Sequence, residues 1–517
     1  VYFSRGFCQM TLNFFELSAL GVWLYTVYMN IDEIYTLMNG TPKTEADKAL
    51  IQKAYLFAQK AHEGQKRASG DPYFLHVFET AKNLARFGMD ATTISAGLLH
   101  DTIEDTEVTE EDIEREFGKD ILFLVNGVTK LGKLKYQGRE RHVESLRKFF
   151  LAVAEDFRVF IIKLADRLHN LRTLEYVKPE KQKRIAIEAI EVYAPLANRL
   201  GIGKVKGEIE DAAFPFAYPK EYAKVEEIIK DKVPVYEASL QKINEKLKED
   251  LTKQNVHTVE LSARMKHKYS LWKKLERYKM DMDKIYDIVA LRVIVKDVEE
   301  CYRVLGIVHS IWRPLPNRIK DYIALPKTNG YQSIHTTVFT GDGGIAEIQI
   351  RTEEMHGRAE YGIASHFSYK EMTAAQKEKT PHKFEWVNQF KLLDGDGITK
   401  ERFEESLKLD VTKNRIFVFT PEGDVIDLPE ESSPIDFAYA VHSEIGDKAL
   451  SAKINGKMSK LGTKLKNGDI VEIATGKNEH PSTKWLDYAK TTVARKHIRQ
   501  YIDAHGGIID SILKRFK

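Results

Sequence analysis

Little in this sequence is extreme, and what it lacks excludes a good deal. Its 517 residues include two cysteines, Cys8 and Cys301, which rules out a disulfide framework or a cysteine-rich zinc site and fits a reducing cytosol. Charge of one sign is also missing. Against 79 Lys and Arg stand 76 Asp and Glu, so any anion binding must come from local clusters rather than from the chain as a whole. The apolar run from Phe14 to Met29 is interrupted by Glu16 and is shorter than the ~20 residues that span a bilayer. It also lacks the basic start and small-residue cleavage site of a signal peptide. Residues 1–29 are therefore expected to be an extension upstream of the true start, with a membrane-associated helix as the alternative. Hydrophobic residues at 43% and charged residues at 30% describe a soluble globular chain, long enough for about three or four domains.

From Ile31 to Phe216 apolar residues recur at three- and four-residue spacing, as in Ile94 and Leu98, which predicts helices throughout. The stretch from Pro219 to Asn255 is charged and helical, and its position makes it a candidate connector. Strands are expected at DIVALRVIV, YQSIHTTVF and AEIQIRT, followed by an exposed loop at 374–382. NRIFVFTPEGDVIDL reads as a hairpin turning at Pro421–Asp424, and short strands flank Asn455-Gly456 and Asn467-Gly468. The last residues are helical and basic.

Two constellations carry chemistry. His100 and Asp101 are adjacent in the helix ATTISAGLLHD, and with His76 and Asp166 they offer mixed nitrogen and oxygen donors that suit Mn²⁺ or a similar transition metal better than Ca²⁺. Glu104 follows on the ligand face of that helix and Asp105 lies beside it; a carboxylate there is what a hydrolase needs to position water. Asp166 and Asn170, four apart, share a helix face. In the second constellation, EIQIR places Glu347, Gln349 and Arg351 on one face of a strand. Asp287 opens another strand, and the two carboxylates could hold Mg²⁺ against a polyphosphate. Arg264, Lys266, Lys268, Lys273, Lys274, Arg318, Lys320 and Lys327 supply the positive surround that phosphoryl transfer requires. Tyr331 offers a flat face to a base.

The motifs RASGDPYFLH, LLHDTIEDT and KLADRLHNLRTL resemble the HD phosphohydrolases, specifically the hydrolase domain of the Rel/SpoT stringent-response enzymes. KTNGYQSIHTTV, AEIQIRT and MHGRAEYGIASH resemble the synthetase domain of the same family. By that resemblance His76, His100, Asp101 and Asp166 hold Mn²⁺, and Glu104 with Asp105 is the catalytic acidic pair. Arg67 stacks on guanine, and Asn170 and Thr173 hold the nucleoside. Ala68 departs from the family, which often has Lys there, and this bears on nucleotide affinity. In the synthetase the resemblance gives Asp287 a Mg²⁺, and Glu347 the same metal or the hydroxyl proton. Arg264 and Arg292 would sandwich adenine, with Lys266, Ser270 and Lys274 on the ATP phosphates. Tyr331 would stack on guanine, with Lys320, Lys327, Asn329, His335 and Gln349 around the acceptor. The segment Arg318–Asp321 is similar to the basic form of bifunctional members.

The implied architecture is multidomain α+β. Residues 30–218 would be an all-α HD hydrolase domain, 219–258 a connector, and 259–395 a mixed α/β, nucleotidyltransferase-like synthetase. After a linker at 396–412, residues 413–476 resemble a TGS domain of β-grasp fold, in which His442 would contact the CCA end of uncharged tRNA. Residues 477–517 would begin a helical regulatory domain with basic residues suited to tRNA or the ribosome. The chain stops before the family's usual zinc-finger-like and ACT regions, so a truncated or short member is expected. The implied function is cytoplasmic synthesis of (p)ppGpp from ATP and GDP or GTP, and its hydrolysis. The alternatives are a hydrolase-dominant member whose synthetase acts mainly as a sensor, a tRNA- or ribosome-binding regulator, and a generic HD nuclease.

Overall fold

The periodicities become elements through local chemistry. In the computed structural model the described residues are 29–38, 44–132, 156–282, 285, 288–327, 329–340, 344–362, 415–466, 468–476 and 479–513. Asp287, the 374–382 loop, the 396–412 linker and residues 1–28 lie outside them. Two compact units divide the chain.

The described part of the first unit, 29–132 and 156–183, is all helical. It contains α1 (Asp32–Leu37), α2 (Glu45–Ala61), α3 (Phe74–Arg86), α4 (Ala91–Leu99), α5 (Thr102–Asp105), α6 (Glu110–Gly132) and α7 (Arg158–Arg172). A reciprocal capping box between Thr44 and Asp47 starts α2. Residues 93 to 99 of α4 are all buried, as expected of a helix apolar all round, and it packs against α2, α3, α6 and α7. The kink in α6 falls at Gly118, whose φ of 83° a residue with a side chain rarely adopts. The sequence reading put His100, Asp101 and Glu104 on one continuous helix. Instead α4 ends at Leu99, and Asp101 (φ −101°, ψ −3°) is the N-cap of the separate, four-residue α5. His100 and Asp101 therefore sit in a helix junction, where both side chains can turn toward α3 and α7.

The second unit begins within α8 (Pro179–Glu188). It continues with a π-helical turn (Ala189–Tyr193), α9 (Ala194–Arg199), α10 (Gly203–Ala217) and α11 (Pro219–Lys253). A five-stranded sheet follows, built from β1 (Thr258–Met265), β2 (Val289–Val295), β3 (Lys320–Asp321), β4 (Ile334–Phe339) and β5 (Ile345–Thr352) in the order β1-β2-β5-β4-β3. Only β2 and β5 run parallel. Helices α12 (Lys268–Arg277), α13 (Val298–Ile311) and α14 (Glu353–Tyr361) accompany it. Alternate residues of each strand face opposite ways. Leu291, Val293, Ile334, Val338, Ile348 and Ile350 join one core with apolar residues of α11 and α13. Residues 219–253, charged enough to read as a connector, thus contribute Val225, Leu240, Ile243, Leu247 and Leu251 to the sheet's core. The intervening strand residues line the other face, which carries the polar side chains discussed below.

The C-terminal residues of this unit form the hairpin β6 (Arg415–Phe419) and β7 (Val425–Pro429), then α15 (Pro434–Val441) and α16 (Ser443–Asp447). A three-stranded sheet follows from β8 (Ala449–Ile454), β9 (Lys457–Ser459) and β10 (Val471–Thr475). The next helices, α17 (Trp485–Tyr488) and α18 (Thr492–Leu513), share a core with α15: Ile435, Ala438 and Tyr439 pack with Trp485, Ala489, Ala494 and Ile498. Buried Asp436 fastens the two parts. It accepts from Ser433 N at 2.9 Å, Ser433 Oγ at 3.1 Å, and Lys490 N and Thr491 N at 2.7 Å each. Removing a carboxylate that satisfies this many buried donors leaves them unpaired. Asp436→Ala is expected to cost about 3 kcal/mol in thermal unfolding, and Asp436→Asn less, because it keeps one acceptor oxygen.

Candidate active sites

In the first unit, α3, the α4–α5 junction and α7 bring His76, His100, Asp101 and Asp166 together. His76 Nε2 lies 3.3 Å from both Asp101 Oδ2 and Asp166 Oδ1. His100 Nε2 lies 3.2 Å from Asp101 Oδ2 and 4.0 Å from Asp166 Oδ1, in a geometry that makes no hydrogen bond. The His100 Nδ1–H donates to the Gly97 carbonyl at 2.8 Å, which leaves Nε2 as the lone-pair nitrogen of the neutral ring. A buried lone pair aimed at two carboxylates calls for a positive charge between them. Burial alone would lower the His100 pKa, but Asp101 and Asp166 more than offset it and raise it to about 9. The same pairing holds Asp101 well below the usual carboxylate range despite its burial. The donor set therefore fits a divalent cation, and a proton on His100 takes that role without one. His76, His100 and Asp101 alone already bring one ligand atom each within 4.8 Å of one another.

The other predicted residues of this unit surround the cluster. Asp105 Oδ2 accepts from Tyr73 OH at 2.7 Å, and the same hydroxyl lies 2.8 Å from Asp101 Oδ2. Glu104 is half-buried on α5. Asn170 Nδ2 donates to Asp166 Oδ1, and Lys163 Nζ to Asp166 Oδ2 at 2.7 Å. Arg67 Nη2 donates to Asn170 Oδ1 at 2.6 Å. Thr173 turns its hydroxyl back onto the His169 carbonyl of α7 at 3.2 Å. Tyr73 and His169 were not singled out from sequence. His169 stands three residues after Asp166, a spacing that shares its helix face and could have flagged it. Burial, then its neighbours His76 and Arg67, lower its pKa to about 3, so it stays neutral.

In the second unit the sheet's register lays the polar face out in rows. Arg264, Ala290, Glu347 and Thr337 lie side by side across β1, β2, β5 and β4. The next row is Ser262, Arg292, Gln349, His335 and Lys320. A cavity of about 400 Å³ opens over these rows. Arg264, Lys266, Ser270, Lys274, Lys320 and Lys327 line it, as do Asn329, Tyr331, His335, Glu347 and Gln349. Arg292 does not line it; its guanidinium lies 3.3 Å from Glu360. Asp287 is outside the described residues. Arg318 and Arg351 also line the cavity, so the lining cations far outnumber Glu347 and Glu360. That imbalance suits a polyphosphate.

Glu347 Oε1 accepts from Gln349 Nε2 at 2.9 Å and lies 3.4 Å from His335 Nδ1. His335 Nε2 is 2.8 Å from Tyr331 OH. Burial, then Lys327 and Lys320, lower the His335 pKa to about 3, so the ring is neutral and donates from one nitrogen only. With Nδ1–H toward the carboxylate, Nε2 accepts from Tyr331. Sequence reasoning missed Tyr322, whose ring lies 5.4 Å from that of His335 and 4.6 Å from Lys327 Nζ. It also missed the contribution of α10. Lys206 and Gly207 line the cavity, and Asp211 caps α12 by accepting from Tyr269 N at 3.0 Å and pairing with His267 Nδ1 at 2.8 Å. Gly207 permits this approach, since a Cβ there would lie 2.2 Å from His267 Nε2.

An all-α unit with a buried His–Asp cluster and, later in the chain, a cation-lined sheet pocket give the protein two candidate sites. Residues 54–203 match the HD domain, 263–374 the region found in RelA/SpoT proteins, and 416–475 the TGS domain. The chain belongs to the Rel/SpoT family. It is 44% identical to a GTP pyrophosphokinase of Streptomyces coelicolor, over 94% of this chain and 60% of that one. It is 45% identical to a guanosine-3′,5′-bis(diphosphate) 3′-pyrophosphohydrolase of Aquifex aeolicus and 42% identical to the bifunctional (p)ppGpp synthase/hydrolase SpoT of Escherichia coli. Each of these alignments covers 87% of this chain and 64% of the relative. The chain thus spans less than two thirds of the length of these relatives. The HD domain implies a divalent metal. No helix among the described residues is long and apolar enough to cross a membrane.

Proposed function

We propose that this chain both makes and destroys (p)ppGpp. In the sheet cavity, pyrophosphate passes from ATP to the ribose 3′-hydroxyl of GDP or GTP; at the HD cluster, (p)ppGpp is hydrolysed to GDP or GTP and pyrophosphate. The observation that carries the reading is the pair of rows across the sheet, which sets an acid, an amide and cations on one wall of a cavity. The His–Asp cluster supports the second activity. In the cavity Glu347 receives the hydroxyl proton while the surrounding cations hold phosphates; Tyr331 stacks on guanine and Arg264 meets adenine. At the HD cluster Arg67, Asn170 and Thr173 hold the nucleotide, and Glu104 and Asp105 orient and deprotonate water. His76, His100, Asp101 and Asp166 would hold Mn²⁺, and Glu347 with Asp287 would hold Mg²⁺; each cation supplies charge neutralisation and Lewis acidity. Purified chain with ATP, GDP and Mg²⁺ should form ppGpp, and with ppGpp and Mn²⁺ should release pyrophosphate. Absence of either product sinks that half of the reading.

The exposed His442, which accepts from Glu444 N at 3.2 Å at the start of α16, and the basic residues of α18 support a contact with uncharged tRNA or the ribosome. The substrates and the free, buried Cys301 thiol support a cytoplasmic setting.

Lys327 gives the synthetic site a pH dependence. Burial, then Lys320 and Lys266, lower its pKa to about 8. Bound polyphosphate favours the charged ammonium, so acceptor affinity should be flat below pH 8 and fall above it, by at most about tenfold per pH unit. The depressed pKa has the opposite consequence for the nucleotide-free fold, whose stability should rise between pH 8 and the ordinary lysine value of 10.5 as the strained charge is lost. Titrating GDP binding from pH 7 to 9.5 in wild type and Lys327→Gln checks it; the variant should bind weakly with a flatter profile.

A further inference from the structure

Behind the His–Asp cluster, the hydrogen bonds allow one consistent set of directions. Arginine carries donors and no acceptor. Arg67 Nη1 lies 3.1 Å from His169 Nδ1, so that nitrogen accepts. His76 Nδ1 lies 2.8 Å from the same nitrogen and therefore has to donate to it. With its proton held on Nδ1, His76 presents the Nε2 lone pair toward Asp101 and Asp166, at 3.3 Å from each. The second arm of Arg67 works in parallel. Its Nη2 donates to Asn170 Oδ1 at 2.6 Å, which leaves the Asn170 amide nitrogen facing Asp166 Oδ1. One guanidinium thus orients an imidazole through His169 and a carboxylate through Asn170. His76 and His169 are both buried, at 2% and 6% exposure, so water does not substitute for these partners.

We propose that His169 and Arg67 are positioning residues for cation binding at this cluster, acting before any nucleotide arrives. His169 has no other assignment. Arg67 gains a role distinct from the base stacking that the family resemblance gives it. The fixed tautomer matters because an imidazole with its proton on Nε2 has no lone pair to offer the cation. The inference rests on the cluster being the metal centre of the hydrolase reading, but its test needs no turnover.

Mn²⁺ alone, without nucleotide, is titrated into the full chain and followed by calorimetry or the electron paramagnetic resonance of free Mn²⁺. His169→Leu is expected to weaken Mn²⁺ binding about 10–100-fold, the usual cost of losing a partner behind a metal ligand. His169→Gln should restore most of it, because its amide oxygen can accept from both Arg67 and His76. Arg67→Met should weaken binding in the same direction, and it carries the test if the leucine variant fails to fold. Wild-type affinity in both His169→Leu and Arg67→Met would overturn the proposal, as would a wild-type chain that binds no Mn²⁺. If the wild type binds Mn²⁺ and the variants bind it weakly, yet wild type leaves ppGpp intact, the positioning role stands and the hydrolase reading falls.

Discussion

Glu347→Gln is expected to lower the rate of ppGpp synthesis by about 10³-fold, within the range that general-base catalysis supplies. The substitution is isosteric and keeps the side chain on the polar face of β5, so the sheet's apolar core is untouched. What changes is the acceptor. Glu347 Oε1 takes a hydrogen bond from Gln349 and faces His335 Nδ1, and an amide can neither receive the ribose proton nor contribute charge to a cation. His335 cannot stand in as the base. Its pKa near 3 reflects burial and the cations of Lys327 and Lys320, which disfavour a second proton on the ring. A loss confined to kcat, with KM for ATP and GDP within about threefold of wild type, would mark an interaction made only in the transition state. Hydrolysis of ppGpp by the same preparation should be unchanged. Retained synthesis would remove Glu347 from the chemistry and leave Asp287 and Glu360 as the acidic candidates.

How much of this was legible in the sequence differs between the sites. The two-residue period of EIQIR was enough to place Glu347, Gln349 and Arg351 on one face, because a strand's side-chain alternation is a local property. The rows that align Glu347 with Arg264, and Gln349 with His335 and Arg292, depend on register among strands up to about 90 residues apart, which no local pattern encodes. Strand β1 was not anticipated at all. It is an edge strand with little buried surface, so its apolar alternation is weak. Lys206 and Gly207 reach the cavity from a helix whose own pattern reports only helix packing. In the HD unit the metal-ligand residue types stood out, but hydropathy runs unbroken through Leu98 to His100 and concealed the junction between α4 and α5. Tyr73 was hidden for a different reason, because its hydrogen-bond partners are set by three-dimensional contacts alone, whereas His169 was signalled only by its helix-face spacing from Asp166.

Asp101→Asn should reduce ppGpp hydrolysis by at least about 10³-fold while leaving synthesis intact, because in the proposed hydrolase site metal ligation and the acidic network would both converge on this carboxylate. Its Oδ2 faces His76 Nε2 at 3.3 Å and His100 Nε2 at 3.2 Å, and lies 2.8 Å from Tyr73 OH. The same substitution should have a pH-dependent effect on stability that identifies its cause. In metal-free protein, Asp101 is the chief group raising the His100 pKa from 6.5 to about 9 against the burial that lowers it. A histidine pKa raised on folding stabilises the fold fully below the unfolded value and loses that contribution as pH rises through the folded one. In chelator, therefore, Asp101→Asn should be destabilised most at pH 6, by about 3 kcal/mol, and the gap should close between pH 6.5 and 9. Added Mn²⁺ should reverse the trend for wild type alone, since binding displaces the His100 proton and stabilises the folded state by mass action. Thermal unfolding at pH 6 and 9.5, with chelator and with Mn²⁺, resolves these contributions. A destabilisation equal at both pH values would show that Asp101 acts through packing rather than through the charge it shares with His100.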